Sequence, residues 1–167
     1  MSETQTTFIF QGQKLTLGAF AFQNEVKSYL QVSGIITKAT LYFRITNAVN
    51  YALGDTLIIF VNDVEVGRVG IYDNIGKVVK FDVTERIKSG TNTFTVRYVR
   101  DLYSSWIDTR EVYFDMWLDL EGENIEVSKF LTTENPLTAL MGLISSPAFI
   151  TMFIAIIMLM LLIRALR

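Results

Sequence analysis

Six carboxylates follow one another along a single stretch of the chain, and their spacing is the first indication of possible chemistry. They are Glu111, Asp115, Asp119, Glu121, Glu123 and Glu126. Carboxylates of this kind can bind calcium or act as the acid and base of a glycosidase. On a strand, however, alternate side chains share a face about 6.6 Å apart, and each can pair with a base on a neighbouring strand, such as Arg97. We therefore expect a solvated or ion-paired face, with a calcium site at Asp115 and Asp119 or a glycosidase pair as alternatives.

A second group of candidate residues lies in residues 100–110, between two predicted strands. This segment contains Tyr103, Trp106 and Arg110, and these residue types dominate contact sites for sugars and proteins. They are our first candidates for ligand or partner contact, although Trp106 could instead fold back and close one end of the domain. Tyr72 and Tyr51, in two shorter connections, are further contact candidates, with packing at the rim of the core as the alternative.

The composition excludes several classes of chemistry. The chain has 167 residues with no His and no Cys, so it has neither an imidazole base, nor a thiolate nucleophile, nor a metal site built from these ligands. Residues 1–134 hold all 17 acidic residues and 13 of the 15 basic ones, a charge of -4. Without a basic stripe or a phosphate-binding glycine loop, we expect no specific nucleic-acid binding by this domain and no cofactor.

The elements that must position these residues begin with an apolar C-terminal segment. No charged residue occurs between Glu134 and Arg164, and Ser146 followed by Pro147 is typical of a helix start. A helix from Pro147 to Arg164 would be about 26 Å long, slightly less than the roughly 30 Å hydrocarbon core of a bilayer. We predict a transmembrane helix over 147–167, preceded by an interfacial or kinked segment over 137–146; a buried core helix is the alternative. The predicted anchor residues are Pro147, Phe149, Phe153, Ile157, Leu161, Arg164 and Arg167.

The rest of the chain predicts an all-β domain over 1–127, joined to the anchor by a linker over 128–136. Short runs rich in Val, Ile, Thr, Phe and Tyr are separated by Gly, Asn and Asp, as in sandwiches and jelly rolls. The predicted strands are 7–11, 14–22, 39–46, 56–62, 64–71, 77–82, 92–100 and 111–121. In the last strand, apolar residues at 112–120 alternate with polar ones, which predicts one core face and one acidic face.

Residues 81–96 carry a recognisable pattern. Phe81, Asp82, Val83 and Thr84 are followed by Ile87, Lys88, Ser89 and Gly90, and then by an alternating strand that begins at Asn92. Together with the strand and turn that end at Asn62, this resembles the signature of galactose-binding-like β-sandwich domains over roughly residues 39–120. The resemblance implies a jelly-roll sandwich. From the residues themselves, we expect Asp82 or Thr84 to cap one helical turn, Gly90 to adopt a left-handed backbone, and Asn92 to bond to local backbone.

These features together predict a non-enzymatic, membrane-anchored structural or interaction protein. Its expected partners are a lipid bilayer and neighbouring subunits of a shell, as in structural proteins of membrane-containing icosahedral viruses. The membrane could be that of a virion or of a host cell, and the domain could face either side. The alternative is a membrane-tethered carbohydrate-binding module that uses Tyr103, Trp106 and Arg110.

Overall fold

The computed structural model describes residues 3–18, 23–102 and 108–133. The chain divides into two units, Met1–Thr133 and Glu134–Arg167, and the described residues all belong to the first. Its strands are β1 (Glu3–Leu17), β2 (Glu25–Val49), β3 (Thr56–Val61), β4 (Val64–Gly70), β5 (Val78–Asp82), β6 (Gly90–Val99) and β7 (Arg110–Thr133), with a single helical turn, α1 (Ile71–Asn74), between β4 and β5.

The seven strands form one antiparallel sheet that curves into a half-barrel. Their order is β1-β7-β2-β6-β3-β4, and β5 also pairs with β2. The all-β prediction is therefore confirmed, and the curved sheet is compatible with a sandwich or jelly roll. Among the described residues, no helix is long and apolar enough to cross a membrane. The predicted anchor and the segment before it lie outside the described residues.

Strands β2 and β7 pair along nearly their whole length and take part in both halves of the sheet. In one half, β2 between Ala39 and Val49 lies beside the start of β7, with β1 and β5 on the two outer sides. In the other half, the first residues of β2 lie between the end of β7 and β6, which continues the sheet to β3 and β4. The two halves are thus joined by a pair of continuous strands.

Both long strands bend where the two halves meet. The pairing register of β2 and β7 shifts between Ser33 and Ile35 and again between Ile36 and Lys38. Gly34 has a φ of 100° there, and a Cβ at this position would collide with the backbone oxygen of Asn124. A Cβ on Gly122 would collide with the backbone oxygen of Ile35. The bend thus requires two residues without side chains, because the strands approach too closely for a Cβ.

The core lies along the inner face of this curved sheet. The predicted alternation in β7 is confirmed, since its apolar side chains belong to one buried cluster that also receives residues from every other strand except β5. The members from β7 are Val112, Phe114, Met116, Leu118 and Leu120, each 0% exposed. Because β2 and β7 pass through both halves, their inward side chains contribute to a single core.

Most of the pattern at residues 81–96 folds as expected, although residues 84–86 form a hydrogen-bonded turn and not the predicted helical turn. Asp82 accepts hydrogen bonds from the backbone N–H and the hydroxyl of Thr84 at 3.0 and 2.7 Å, and Gly90 has a φ of 110°. Asn92 is fully buried, and its amide donates to the carbonyl of Lys88 at 2.7 Å and accepts from the backbone N–H of Lys88 at 3.0 Å. The side chain of Asn62 donates to Asn92 at 2.9 Å. The pattern therefore fixes the turn between β5 and β6 to the end of β3.

Two parts of the predicted organisation differ from the structure. Residues 25–38 were not among the predicted strands, yet they form the first half of β2. Strand β7 runs to Thr133, so the predicted linker at 128–136 begins inside a paired strand. The backbone N–H and C=O groups of these residues are satisfied by pairing with the start of β2, which is why the strand continues past the predicted boundary.

Candidate functional site

The described contact candidates, Tyr51, Tyr72 and Arg110, lie at one end of the sheet, which we call the loop end. Four connections start there, at residues 18–24, 50–55, 71–77 and 100–109, because β1, β2, β4 and β6 all run toward this end, and β7 starts from it. The opposite end, the far end, carries the β3–β4 hairpin, the turn before β6 and the bend of β2 and β7. In β-sandwich architectures, connections presented by a rigid sheet are the usual place for binding residues.

A buried ion pair ties the connections of the loop end together. The guanidinium of Arg110 donates from Nη1 to both carboxylate oxygens of Asp55 at 2.6 and 2.7 Å. The hydroxyl of Tyr98 and the backbone N–H of Asp101 also donate to this carboxylate, each at 2.9 Å, and the N–H of Ala52 donates at 3.0 Å. Asp55 is 0% and Arg110 is 3% exposed. The carboxylate is thus surrounded by donors that cancel the cost of burying it.

This environment shifts the pKa of both acids in the network. Burial alone raises the pKa of Asp55, but the hydrogen bonds from Asp101, Ala52, Tyr98 and Arg110 outweigh burial, and the pKa lies below its ordinary value. Burial, reinforced by the negative charge of Asp55, raises the pKa of Tyr98 well above its ordinary value. Asp55 is therefore ionised and Tyr98 is a neutral donor at neutral pH, an arrangement suited to holding loops rather than to transferring protons.

The predicted contact residues fall into three situations. Arg110 is occupied with Asp55 in the interior, so the structure gives it a structural position at the base of the 100–110 segment rather than a place on the contact surface. Tyr51 is partly buried and packs against the core, as expected for a rim residue. Tyr72, on α1, is 56% exposed and accessible for contact. Tyr103 and Trp106 lie outside the described residues.

The acidic side chains of β7 are mostly engaged by neighbouring strands. Asp115 accepts from Arg44 at 2.5 Å and from the backbone N–H of Gly12 at 2.8 Å. The other partners come from β1 and β2: Lys14 with Glu111, Thr6 with Asp119, and Lys38 with Glu121. Arg97, suggested as a partner from the sequence, pairs with Glu25 instead. Within the described ranges, no cluster of three or more acidic groups is placed to hold a metal ion.

Sequence reasoning missed an aromatic row on the outer face of the sheet. Trp117 and Tyr42 lie opposite each other on β7 and β2, with ring centroids 5.3 Å apart and planes within 3°. Phe8 on β1 covers the other side of Trp117 at 5.8 Å, and the amine of Lys80 lies 5.3 Å from the centre of the Tyr42 ring. Both Trp117 and Tyr42 thus lie between two neighbours, so the row stabilises pairing between strands, while Phe8 on the edge strand stays 46% exposed.

The far end holds an open polar depression beside the turn at residues 83–89. It is lined by Thr37, Lys38, Asp82, Thr84, Glu85 and Arg86. Asp82 is engaged with Thr84, and Lys38 pairs with Glu121 at 2.8 Å. These charges stabilise the turn and the sheet, and their arrangement indicates no particular chemistry.

Sequence reasoning also missed the most exposed apolar side chains of the loop end. Leu53 is 72% exposed and Leu102 is 93% exposed. Their neighbours touch, since the N–H of Gly54 donates to the carboxylate of Asp101 at 3.3 Å. The only sequence signal was a leucine within each of two polar connections.

Neither a protein-family model nor a curated protein matches the sequence of this chain.

Proposed function

We propose that this chain is a non-enzymatic, membrane-anchored structural protein, a minor capsid or membrane-associated component of a virion or a similar shell that encloses a lipid membrane. The observation that carries the proposal is the uncharged, apolar stretch between Glu134 and Arg164, which directly follows the β domain. Charged residues are excluded from hydrocarbon, and arginines at the end of such a stretch favour the head-group region. The stretch is long enough to anchor the domain irreversibly.

The described domain supports a holding role. Its buried carboxylate, Asp55, is enclosed by structural donors, and most acids of β7 bond to adjacent strands. Strands β1 and β4 lie at the two ends of the strand order, so each has one side that no other strand of the described domain covers. Such edges can contact neighbouring subunits through backbone hydrogen bonds. The finer fold assignment, a galactose-binding-like jelly roll, is part of this proposal and is supported by the turn built from Asp82, Thr84 and Asn92.

Membrane extraction tests the anchor. We expect the full chain to stay with membranes through alkaline carbonate washing and to be released by detergent. Replacing both Ile157 and Leu161 by Arg costs about 3 kcal/mol of insertion energy per residue and is expected to move the protein to the soluble fraction. Ile35→Arg, at a site that is 63% exposed in the far end, adds a charge outside the anchor and should leave the protein in the membrane.

Recovery of the wild-type chain as a soluble monomer without detergent would overturn the proposal. For the shell assignment, a density map of an intact particle should place the β domain between a protein layer and the bilayer. A map in which the domain has no protein neighbours would exclude a shell role while leaving the anchor intact.

A membrane-tethered carbohydrate-binding module is a second candidate, favoured by one observation. The connection that carries Tyr72 lies at the same end of the sheet as the described residues on either side of Tyr103 and Trp106, which could group aromatic residues around a glycan. Because Arg110 is buried, this version relies on the aromatic residues alone. Binding on a glycan array that is lost in Trp106→Ala but kept in Ile35→Ala would support it, and an array without signal would exclude it.

A further inference from the structure

The direction of the last strand determines the end of the domain from which the chain continues past Thr133. Thr133, the final residue of β7, pairs with Lys27 near the start of β2, and the adjacent Glu25 pairs with Arg97 near the end of β6. All three strand ends belong to the loop end. The apolar residues that follow Thr133 in the sequence therefore start from the loop end, and the far end lies a full strand length away.

The same end holds the two most exposed of the large apolar side chains of the described domain. Leu53, Leu102 and Tyr72 are 72%, 93% and 56% exposed, and Val49 and Val99, at the ends of β2 and β6, are 41% and 39% exposed. Hydrogen bonds join the connections that carry them: the N–H of Gly54 donates to the side-chain carboxylate of Asp101 at 3.3 Å, and the N–H of Ile71 donates to the carbonyl of Asp55 at 2.9 Å. Grouped apolar side chains that face outward indicate a contact surface.

The charges at the loop end nearly cancel. Apart from the buried pair of Asp55 and Arg110, its connections carry three acids and two bases, namely Asp73, Asp101, Asp108, Lys77 and Arg100. Contact through this surface would therefore depend on the apolar side chains rather than on attraction to anionic or cationic groups. A zwitterionic lipid surface, apolar beneath its head groups, has the chemistry that fits.

We propose that the loop end faces the bilayer and that Leu53, Leu102 and Tyr72 enter the interface between the head groups and the acyl chains. The inference rests on the proposed membrane attachment of residues 147–167. Residues 134–146 span at most about 45 Å when fully extended. A tether of limited length holds the end of the domain from which it departs closer to the membrane than the opposite end. Leucine and tyrosine are suited to this depth, because apolar groups enter the lipid while a phenol stays at the head groups.

Site-specific fluorescence on the full chain in phosphatidylcholine vesicles tests the inference. The chain has no Cys, so Leu53→Cys, Leu102→Cys and Ile35→Cys each accept one environment-sensitive label. The third site is the matched control, since Ile35 is apolar and 63% exposed but lies in the far end. We expect nitroxide lipids to quench the labels at 53 and 102 at least several-fold more than the label at 35, with little dependence on salt.

Each outcome has a distinct meaning. If the chain floats with the vesicles and all three labels are quenched equally weakly, the membrane attachment stands and the inference about the loop end is overturned. Labels at 53 and 102 that are shielded from aqueous iodide but not quenched by lipid would also overturn it, in favour of a protein partner or a second copy. A chain that does not float with vesicles would overturn both the attachment and the inference.

Discussion

The carboxylate of Asp55 accepts hydrogen bonds from four groups that belong to separate parts of the chain. Ala52 lies in its own connection, Tyr98 and Asp101 at the end of β6, and Arg110 at the start of β7. A buried charge is tolerated only when donors of this kind replace water. The network therefore couples the geometry of two connections, and the loss of one partner leaves the other charge buried without compensation.

We expect Arg110→Ala to lower the free energy of unfolding by about 3–5 kcal/mol, since it leaves Asp55 as an unpaired buried charge. The matched control is Arg97→Ala. Arg97 also pairs with a carboxylate, Glu25, at 2.6 Å, but its side chain is 47% exposed, so the loss should stay below about 1 kcal/mol. Urea denaturation of both variants measures the difference, and equal losses would contradict a structural role for the buried pair.

The lowered pKa of Asp55 leads to a second prediction, which concerns how the stability of the domain depends on pH. Its folded-state pKa lies below the ordinary value, which for aspartate is about 3.9. The ionised Asp55 therefore contributes its full stabilisation above the ordinary pKa of about 3.9. This stabilisation is lost as the pH falls from that value through the folded-state pKa of Asp55. Asp115, whose pKa is lowered because hydrogen bonds from Arg44 and Gly12 outweigh its burial, acts in the same direction.

Urea denaturation at pH 7 and in steps from pH 4.5 to 3 measures this effect. We expect the unfolding free energy of the wild type to fall across the acidic steps. Asp55→Asn should be less stable at neutral pH but should lose less on acidification, because its amide does not titrate. Parallel acid dependence in the two proteins would show that other carboxylates cause the loss.

The bend of β2 and β7 restricts which residues can occupy two positions of the backbone. Gly34 combines a φ of 100° with a backbone neighbour, Asn124, that leaves no room for a Cβ. We expect Gly34→Ala to lower the unfolding free energy by more than about 2 kcal/mol. Gly12 is the matched control, since it has a φ of 59° but nothing within 4 Å of a Cβ.

Gly12→Ala should cost only the backbone strain, about 1–2 kcal/mol. The excess loss in Gly34→Ala therefore measures the close approach of the two strands. Thermal or urea denaturation of both variants gives the comparison, and an equal loss at the two glycines would mean that the bend opens to admit a side chain.

The elements that could be predicted from the sequence were those with local signals. The alternation over residues 112–120 predicted the core face of β7, and Asp82, Thr84 and Asn92 predicted their turn. The first half of β2 also alternates, with Val26, Leu30 and Val32 buried, but Ser28 occupies a fully buried position in that series and interrupts the apolar pattern. Gly34, which looks like the end of a strand, is instead a bend within one.

The candidate site was harder to predict because its interactions are not local. Asp55 and Arg110 meet only after β2, β6 and β7 have paired in register, and neither residue has a neighbour in the sequence that indicates the other. An arginine in an aromatic segment is as compatible with ligand contact as with a buried ion pair. Its burial depends on the position of Asp55 across the end of the sheet, which the sequence alone does not reveal.

Strands β2 and β7 make the two halves of the sheet depend on each other. Leu30 lies in the half next to β6, and Phe114 lies in the half next to β1. Both are 0% exposed and belong to one hydrophobic cluster. Neither half has a separate core, so the described domain should unfold as one cooperative unit.

We therefore expect Leu30→Ala and Phe114→Ala to move one shared unfolding transition, each by about 3–5 kcal/mol. Both variants should accelerate amide hydrogen exchange in both halves by similar factors, because exchange in the core then requires opening of the entire domain. The full chain in detergent is suitable for this measurement, and Ile35→Ala, at an exposed position, is the control. If Leu30→Ala accelerated exchange in β6 and β3 but left β1 and β5 protected, the halves would be separate folding units. The bend at Gly34 and Gly122 would then be a hinge between them.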